Sequence, residues 1–417
     1  MEQARGPVDP VEGAPRRKDT FTSSTIIGAH ILQHLYGNGF LVLLPAIYSG
    51  MGLVPIQAGL IELVRRLSGG VATMGGGVIV DRMQRRRGPM LVGALALMGV
   101  GYLIVGLVPS YYLILIAVGF AGAAGSLWHP PALSLLSQRF PSRRGFVISL
   151  HRSAGSIGDS VGPLVAGALL LVISWQLTLQ LAFPLTFAAA ILVWVAIRHG
   201  GEAWRRLGTS EKRTLVDQMR SLGGLFHGWS LTSLLVVAGV RGMADRSLLL
   251  FLPLYLGEER GMGSFLIGVH VALLTTLAIV GGPAIGWLSD RIGRKPIIVV
   301  NMAISTGIGF LMIMFDQGAA LTVLVAGMGF IMFSVNSLTQ AGAIDLAEGR
   351  GLEGSMIGLL WGSNAAFGAI SPLLMGALAG WFGFQIVFLY ATVLYAVGTL
   401  ISLTLPAGIE RTRRGNA

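Results

Sequence analysis

Eight charged side chains lie inside long apolar stretches of this sequence, where burying an unused charge is costly. Three are acids and five are arginines: Glu62, Asp159, Asp245, Arg65, Arg66, Arg152, Arg241 and Arg246. Each acid has an arginine three, four or seven residues away on the same side of a helix, which predicts ion pairs. Five minus three leaves a formal excess of two positive charges, and arginine binds carboxylate, phosphate and phosphonate oxygens through paired hydrogen bonds. We therefore expect a cavity that binds an anionic or zwitterionic solute.

Further polar residues are predicted to lie at one depth in these stretches. A rise of about 1.5 Å per residue places a set of them roughly 10 to 15 Å from the cytoplasmic end. The set is His34, His129, His151, Arg152, Asn336, Trp361 and Asn364, with Asn38 and Gln340 close to it. Because both halves of the chain contribute, we expect one central site. The alternative for a single residue such as His30, His34 or Asn38 is an ordinary polar contact between helices, worth about 0.6 kcal/mol.

Proton coupling would need a carboxylate or imidazole that changes its partner as the cavity changes access. The three acids and the histidines are the candidates. We expect Asp159 to be the first of them, because it lies in a glycine-rich segment that a proline makes bendable. That segment contains Gly158, Gly162 and Pro163, and Pro372 is the matching proline of the second half. In the alternative, all three acids are static partners of arginine.

The apolar stretches define the fold class. Hydrophobic residues make up 53% of the chain, charged residues 12%, and the mean hydropathy is +0.72, which excludes an ordinary soluble domain. Runs of about 20 residues, enough to cross a bilayer, occur at 26–48, 57–80, 89–108, 112–136, 146–171, 176–197, 231–256, 264–288, 296–315, 319–344, 355–380 and 384–405. We predict an all-α membrane protein with twelve transmembrane helices in two six-helix repeats, and not a β-barrel, which would show short alternating segments.

The net charge of +11 would also suit a nucleic-acid-binding protein, so the positions of the basic residues matter. Of 30 Lys and Arg residues, 24 fall in the two tails and in the connections that follow even-numbered apolar runs. Only Arg260 falls in a connection on the other side. This bias places both termini in the cytoplasm and argues against nucleic acid as a partner. The sequence has no cysteine, which excludes disulfides and thiol catalysis.

The chain matches itself at half its length. Gly77–Arg86 reads GVIVDRMQRR, and Gly286–Lys295, which lies 286 − 77 = 209 residues later, reads GWLSDRIGRK. The same offset relates Gly59 to Gly268, Gly145 to Gly354, Pro163 to Pro372 and Gly167 to Gly376. Two parallel repeats in a membrane protein predict a transporter with its substrate site between the halves.

Two copies of this loop between six-helix halves resemble the major facilitator superfamily over nearly the whole chain. The family pattern G-x-x-x-D-R-x-G-R-[KR] is complete in the second copy, whereas the first has Gln84 in place of glycine. The resemblance implies a cytoplasmic gate, closed in the outward-facing state, made by Asp81, Arg82, Arg85, Asp290, Arg291 and Arg294. A carboxylate there can cap a helix N-terminus and pair with loop arginines. The alternative, a static anchor of basic charge, accounts for the arginines but not for the aspartates.

The first, fourth and fifth apolar runs are similar to the fosmidomycin-resistance branch of that superfamily. The similar segments read HILQHLYGNGFLVLLPAIY, GSLWHPPALSLLSQR and SLHRSAGSIGDSVGPL. The G-x-x-x-G-P pattern in the third segment looks like a signature of proton-linked exporters, and the alternative is glycine-rich packing without a directional role. Drug exporters of a neighbouring branch usually carry an arginine in the middle of the fourth transmembrane helix. The corresponding stretch of this sequence, around Val118 and Gly119, has none. The resemblance implies a phosphonate as substrate, which agrees with a basic cavity.

The predicted organisation is a cytoplasmic tail (1–23), a six-helix bundle (24–197), a linker (198–230), a second bundle (231–406) and a second tail (407–417). We predict a monomeric secondary transporter of the bacterial inner membrane that exports a small anionic or amphiphilic solute in exchange for protons. The alternatives are a proton-coupled importer of an organic anion and a receptor or assembly factor that kept the fold without turnover. No enzyme motif is present, and we predict no catalytic residue, cofactor or metal site.

Overall fold

A computed structural model describes residues 17–82, 86–140, 143–201, 204, 229–347 and 353–405, and these residues are almost entirely helical. The first half consists of α1 (Arg17–Met51), α2 (Pro55–Arg82), α3 (Arg87–Leu107), α4 (Tyr111–Ser126), α5 (His129–Arg139), α6 (Arg144–Leu169), α7 (Trp175–Gln180) and α8 (Ala182–Gly200). The second half consists of α9 (Trp229–Leu254), α10 (Ser264–Thr276), α11 (Ala278–Ile292), α12 (Arg294–Met314), α13 (Gly318–Met332), α14 (Ser334–Ala347), α15 (Glu353–Phe382) and α16 (Ile386–Leu403). A π-helical turn, Tyr255–Glu259, continues α9.

Each predicted apolar run corresponds to one of these helices or to two in succession, which confirms the twelve-helix membrane fold. Four spans are interrupted, between α4 and α5, α7 and α8, α10 and α11, and α13 and α14. Within the described residues, eight helical stretches are long and apolar enough to cross a membrane by length and composition. Helices α2, α6, α9 and α15 are not among the eight, and the first three contain the eight charged residues predicted within spans.

The first helix begins earlier than predicted. We expected a tail over 1–23, but α1 begins at Arg17. Its first turns are fixed to the bundle, because Asp19 pairs with Arg139 at 2.5 Å and the Thr22 hydroxyl donates to the carbonyl of Ala196 at 2.9 Å. These contacts join segments that are far apart in the sequence, so no local sequence pattern predicts them. Most of the predicted linker and the whole tail 407–417 lie outside the described residues.

Close packing of α1 against α6 organises the first half. A Cβ added at Gly158 would lie 2.2 Å from the carbonyl oxygen of Ile31, and one added at Gly162 would lie 2.3 Å from that of Leu35. Only glycine permits backbones to approach this closely. The two glycines, predicted to let the helix flex, are therefore packing positions in this structure, while Pro163 lies within α6 as predicted.

The two halves meet through two contacts that the sequence repeat relates to each other. A Cβ at Gly59 of α2 would lie 2.3 Å from the carbonyl oxygen of Pro372 in α15, and one at Gly268 of α10 would lie 2.4 Å from that of Pro163 in α6. The glycines are 209 residues apart, and so are the prolines. One close contact is therefore made twice, by equivalent residues of the two repeats.

These contacts close the bundle at the end remote from the chain termini. At this end, where α1 and α9 finish, the Ser49 hydroxyl donates to Glu258, and the ring of Tyr48 packs on Phe384 with centroids 5.4 Å apart. The hydroxyl of Ser264, at the start of α10, donates to the carbonyl of Gly167 at 3.0 Å. The joined end leaves a cavity between the halves nearer the middle of the bundle.

Candidate functional site

A cavity of about 270 Å³ lies between the two halves. Arg66 of α2 lines it from the first half, and the second half contributes Ala238, Asn336, Thr339, Gln340, Leu360 and Asn364. The amide of Asn364 donates to the side chain of Asn336 and to the carbonyl of Ala238, at 3.3 and 3.2 Å, which fixes its orientation. Four residues predicted from sequence for the substrate and proton pathway, Arg66, Asn336, Gln340 and Asn364, are thus brought together.

The charge beside this cavity comes from an unbalanced cluster on α2 and α9. Glu62 is fully buried, and it accepts hydrogen bonds from Arg65, at 2.8 Å, and from Arg66. Arg246, half-buried on α9, interacts electrostatically with all three. The guanidinium of Arg65 also lies over the ring of Phe40, 5.6 Å from its centroid. One carboxylate thus faces three guanidinium groups.

This cluster places the predicted surplus of two positive charges next to the cavity. Arg66 is the most accessible of the ion-paired members, with 28% of its side chain exposed against 11% for Arg65 and none for Glu62. A guanidinium that shares its carboxylate with a neighbour keeps N–H groups free to bind an incoming oxyanion. In a cavity screened from bulk water, the same surplus charge attracts an anion more strongly than it would at the protein surface.

Asp159 has a different partner from the one predicted. Sequence spacing suggested Arg152, but the Asp159 carboxylate lies 2.9 Å from Nδ1 of His34 on α1. Arg152 is exposed and makes no ion pair within the described part of the chain. The reason is the close approach of α1 to α6, which brings His34 within reach. Arg152 lies two turns away along the same helix, about 10 Å by its rise.

Asp159 and His34 are both accessible, with 32% and 26% of their side chains exposed. The hydroxyl of Thr275 on α10 donates to the Asp159 backbone carbonyl at 3.1 Å, so this part of α6 also contacts the second half. A carboxylate and an imidazole at hydrogen-bond distance can hold or release a proton between them. A movement of one half relative to the other would therefore change the surroundings of this pair.

Arg241 and Asp245 lie away from the cavity, inside the second half. Arg241 has no exposed area and donates to Asp245, to the Ser305 hydroxyl at 2.6 Å and to the Met332 carbonyl at 2.8 Å. Tyr395 donates to the other oxygen of Asp245 at 2.8 Å. Because this network satisfies its charges internally, the geometry favours a structural role for two residues that we had expected in the transport pathway.

Four imidazoles form a cluster on α1, α5 and α6. The rings of His30 and His151 are stacked with centroids 3.7 Å apart, and His34 and His129 lie edge-on to His30 at 4.5 and 5.2 Å. His30, His129 and His151 have ring nitrogens close enough together to hold a metal ion. The sequence placed His34, His129 and His151 at one depth, but it did not predict that these three and His30 form one cluster, although the one-turn spacing of His30 and His34 could have signalled it.

The remaining predicted residues are only partly described. In the second loop copy, Arg294 pairs with Asp290 at 3.2 Å, and Arg291 lies over the ring of Trp287 at 3.8 Å. Asn38 is half-buried in α1. In the first copy, Arg85 and the side chains of Asp81 and Arg82 lie outside the described residues, as does the side chain of Trp361.

Comparison with known proteins identifies the family of this chain. The family profile described as Major Facilitator Superfamily matches residues 26–368. The chain is 24% identical to the fosmidomycin resistance protein of Escherichia coli (strain K12) over 401 residues, which covers 92% of this chain and 93% of that protein. It is 23% identical to multidrug resistance protein MdtG of Yersinia enterocolitica serotype O:8 / biotype 1B over 366 residues, covering 85% and 84% of the two chains.

Solved structures support the fold independently of sequence. A bacterial homolog to the human lysosomal transporter Spinster, in an inward-facing conformation, superposes with a TM-score of 0.80 at 13% identity. The match covers 93% of this chain and 97% of that one. At this identity the likeness shows a shared fold and nothing about substrate.

Proposed function

Because this chain belongs to the Major Facilitator Superfamily, a family of multi-pass membrane transporters and not of enzymes, we propose that it exports a small anionic or amphiphilic solute in exchange for protons. The single observation that carries this proposal is the cluster in which one carboxylate, Glu62, faces three guanidinium groups beside the central cavity. The three bases outnumber Glu62, and the Asp245 carboxylate with which Arg246 also interacts is already paired with Arg241, so an anionic solute can complete the charge balance. Arg66 is the group that would contact it first.

The proposed location is the bacterial inner membrane, with both termini in the cytoplasm as the distribution of lysine and arginine predicts. With that orientation, the joined end of the bundle faces the periplasm and the cavity faces the cytoplasm. The bundles over 24–197 and 231–406 would rock about the cavity to expose it alternately to each side. We propose that a single chain performs this cycle.

The proposed proton site is Asp159 with His34. The carboxylate is accessible, and its backbone carbonyl is bonded to Thr275 of the other half, so rocking would change its surroundings. A proton taken up in one state and released in the other would couple the cycle to the proton gradient. Of the three acids within the predicted spans, Asp245 is the least suited, because Tyr395 and Arg241 hold it inside the second half.

Binding is tested first, on purified protein, with phosphonates, dicarboxylates and amphiphilic drugs as probes. A ligand that binds the folded state raises the unfolding temperature by an amount that increases with the ratio of its concentration to its Kd. We expect phosphonates or dicarboxylates to stabilise the wild type, and we expect Arg66→Gln to weaken their affinity at least tenfold. Stabilisation by cationic drugs alone, unchanged in Arg66→Gln, would contradict an anion site.

Direction and coupling are tested in energised everted vesicles with the compound found in that screen. Antiport predicts that adding the compound releases protons from the vesicle interior, and that Asp159→Asn abolishes this release while the protein still inserts. Import by cotransport predicts no such release. Full activity in both Asp159→Asn and Arg152→Gln would remove these residues from the pathway.

A further inference from the structure

The histidine cluster of the first half contains three imidazoles that the proposed proton pair does not use, those of His30, His129 and His151. His30 and His151 are 3% and 1% exposed, and they lie beside His129, the first residue of α5. Each of the three offers a ring nitrogen within 4.8 Å of the others. The ligands come from α1, α5 and α6, three helices of one bundle, so they would stay together when the two halves move.

The hydrogen bonds of the cluster leave lone pairs available. Nδ1 of His30 lies 2.7 Å from the carbonyl oxygen of His151, so it must donate its hydrogen, and Nε2 is then the unprotonated nitrogen. That Nε2 is buried and has no hydrogen-bond partner within the described part of the chain, and the same is true of both ring nitrogens of His151. Metal-binding histidines are oriented in this way, with one nitrogen bonded to a carbonyl and the other free.

His34 repeats this arrangement with a carboxylate. Its Nδ1 is bonded to Asp159 at 2.9 Å, and its buried Nε2 has no partner among the described residues. A carboxylate, an imidazole and a metal in line are a recurring arrangement at zinc sites, where the carboxylate fixes the ring and makes the free nitrogen more basic. His34 would therefore serve as a fourth ligand beside the other three.

From this geometry we propose that His30, His129 and His151, with His34 as the fourth ligand, bind one divalent transition-metal ion inside the first bundle. Imidazole is a good ligand for Zn²⁺, Co²⁺, Ni²⁺ and Cu²⁺, whereas Mg²⁺ and Ca²⁺ require oxygen ligands that this set lacks. This site does not depend on the proposed direction or substrate of transport. Its ion would influence Asp159 through His34, and so connect metal binding to the carboxylate of the proton site.

Binding requires a small contraction of the cluster. Nitrogens around a tetrahedral Zn²⁺ lie about 3.4 Å apart, given bonds of about 2.0 to 2.1 Å, so a pair of the three at the 4.8 Å limit must close by about 1.4 Å. His34, whose ring centroid lies 4.5 Å from that of His30, must move closer as well. The parallel rings of His30 and His151 must also rotate, because lone pairs lie in the ring plane. His129 has room to follow, since it is only half-buried and begins α5 directly after the break at Leu127 and Trp128.

The experiment uses the full chain, purified in detergent without a histidine tag and stripped with a chelator. Zn²⁺ titrated by calorimetry should bind at one equivalent per chain and raise the unfolding temperature. Co²⁺ should give the visible absorption of a four-coordinate nitrogen site, a readout that needs no variant. His151→Ala and His129→Ala should each weaken binding at least tenfold.

The matched control is His270→Gln. His270 is a buried histidine of α10 whose two ring nitrogens are already bonded, to the Leu266 carbonyl at 2.8 Å and to the Thr322 hydroxyl at 3.0 Å. It should bind Zn²⁺ as the wild type does. No saturable binding by the wild type, a six-coordinate Co²⁺ spectrum, or wild-type affinity in both cluster variants would each overturn the proposal. If His151→Ala does not fold, His129→Ala and the wild-type spectrum decide the question.

Discussion

Each half contains an arginine–carboxylate group with a buried acid, and the two groups differ in how completely their charges are paired. In the second half, Arg241 has no exposed area and Asp245 only 4%, and both oxygens of the acid are bonded. In the first half, Glu62 is shared between Arg65 and Arg66, and Arg66 reaches the cavity. From sequence the two groups are alike, since each is an acid with an arginine one turn away.

We interpret this difference as that between a structural ion pair and a proposed binding site for the solute. A buried pair whose hydrogen bonds are all made inside the protein gains nothing from a ligand, and removing one partner leaves an uncompensated charge. A cluster with surplus charge and an exposed guanidinium can be completed by a solute. We therefore expect substitutions in the Arg241–Asp245 pair to affect folding and substitutions in the Glu62 cluster to affect binding.

The largest effect is expected from Arg241→Met. It leaves the Asp245 carboxylate buried without its cation, and breaking a buried pair in this way costs about 3 to 5 kcal/mol. Thermal unfolding in detergent and the monodisperse fraction on size exclusion measure the loss. Arg198→Met is the control, because Arg198 is exposed and, among the described residues, its guanidinium lies over the Trp194 ring at 4.1 Å without an ion pair. Equal stability of the two variants would remove the structural assignment.

Arg66→Met should have the opposite profile. Glu62 keeps its bond to Arg65 at 2.8 Å, so the unfolding temperature should stay near that of the wild type. A hydrogen bond to a charged group contributes about 1.5 to 3 kcal/mol, so affinity for the anion found by ligand stabilisation should fall at least tenfold. If affinity is unchanged while Arg241→Met abolishes it in folded protein, the two roles have been assigned to the wrong groups.

Gly59→Ala and Gly268→Ala should each disturb the joined end of the bundle, because the added methyl would lie 2.3 or 2.4 Å from a proline carbonyl. We expect a shift toward the state in which this end is open. The chain has no cysteine, so a single Gln340→Cys in the cavity reports access by alkylation from either side. Gly282→Ala is the control, since nothing lies within 4 Å of its added Cβ. Identical labelling in all three variants would contradict a closing role for these contacts.

The smallest effect on stability is expected from Asp290→Asn. Its pair with Arg294 leaves 62% of the aspartate side chain exposed, and such surface pairs contribute about 0.2 to 1 kcal/mol. If the loop acts as a gate and not as an anchor, transport in vesicles should fall although the free energy of unfolding changes little. A loss of stability as large as that of Arg241→Met would show that burial does not distinguish the charged groups of this chain.

Local sequence was sufficient for the twelve helices and the repeat. The two prolines and two glycines related by 209 residues were singled out by sequence alone, and they form the equivalent contacts between the halves. The same reasoning failed for Asp159, whose partner is on another helix, and for the start of α1, which depends on Arg139 and Ala196. Spacing along one helix predicts only the pairs that this helix can make with itself.

Hydropathy, charge bias and self-similarity are properties of the chain in order, so they determined that this protein spans a membrane as two related bundles. The environment of each charge depends on how distant helices pack, and only the tertiary structure decided it. Gly158 and Gly162 let α1 approach α6, and that approach gives Asp159 an imidazole for a partner and collects four histidines in one place. Whether a buried charge is satisfied or available is a property of its surroundings, and those are assembled from residues far apart in sequence.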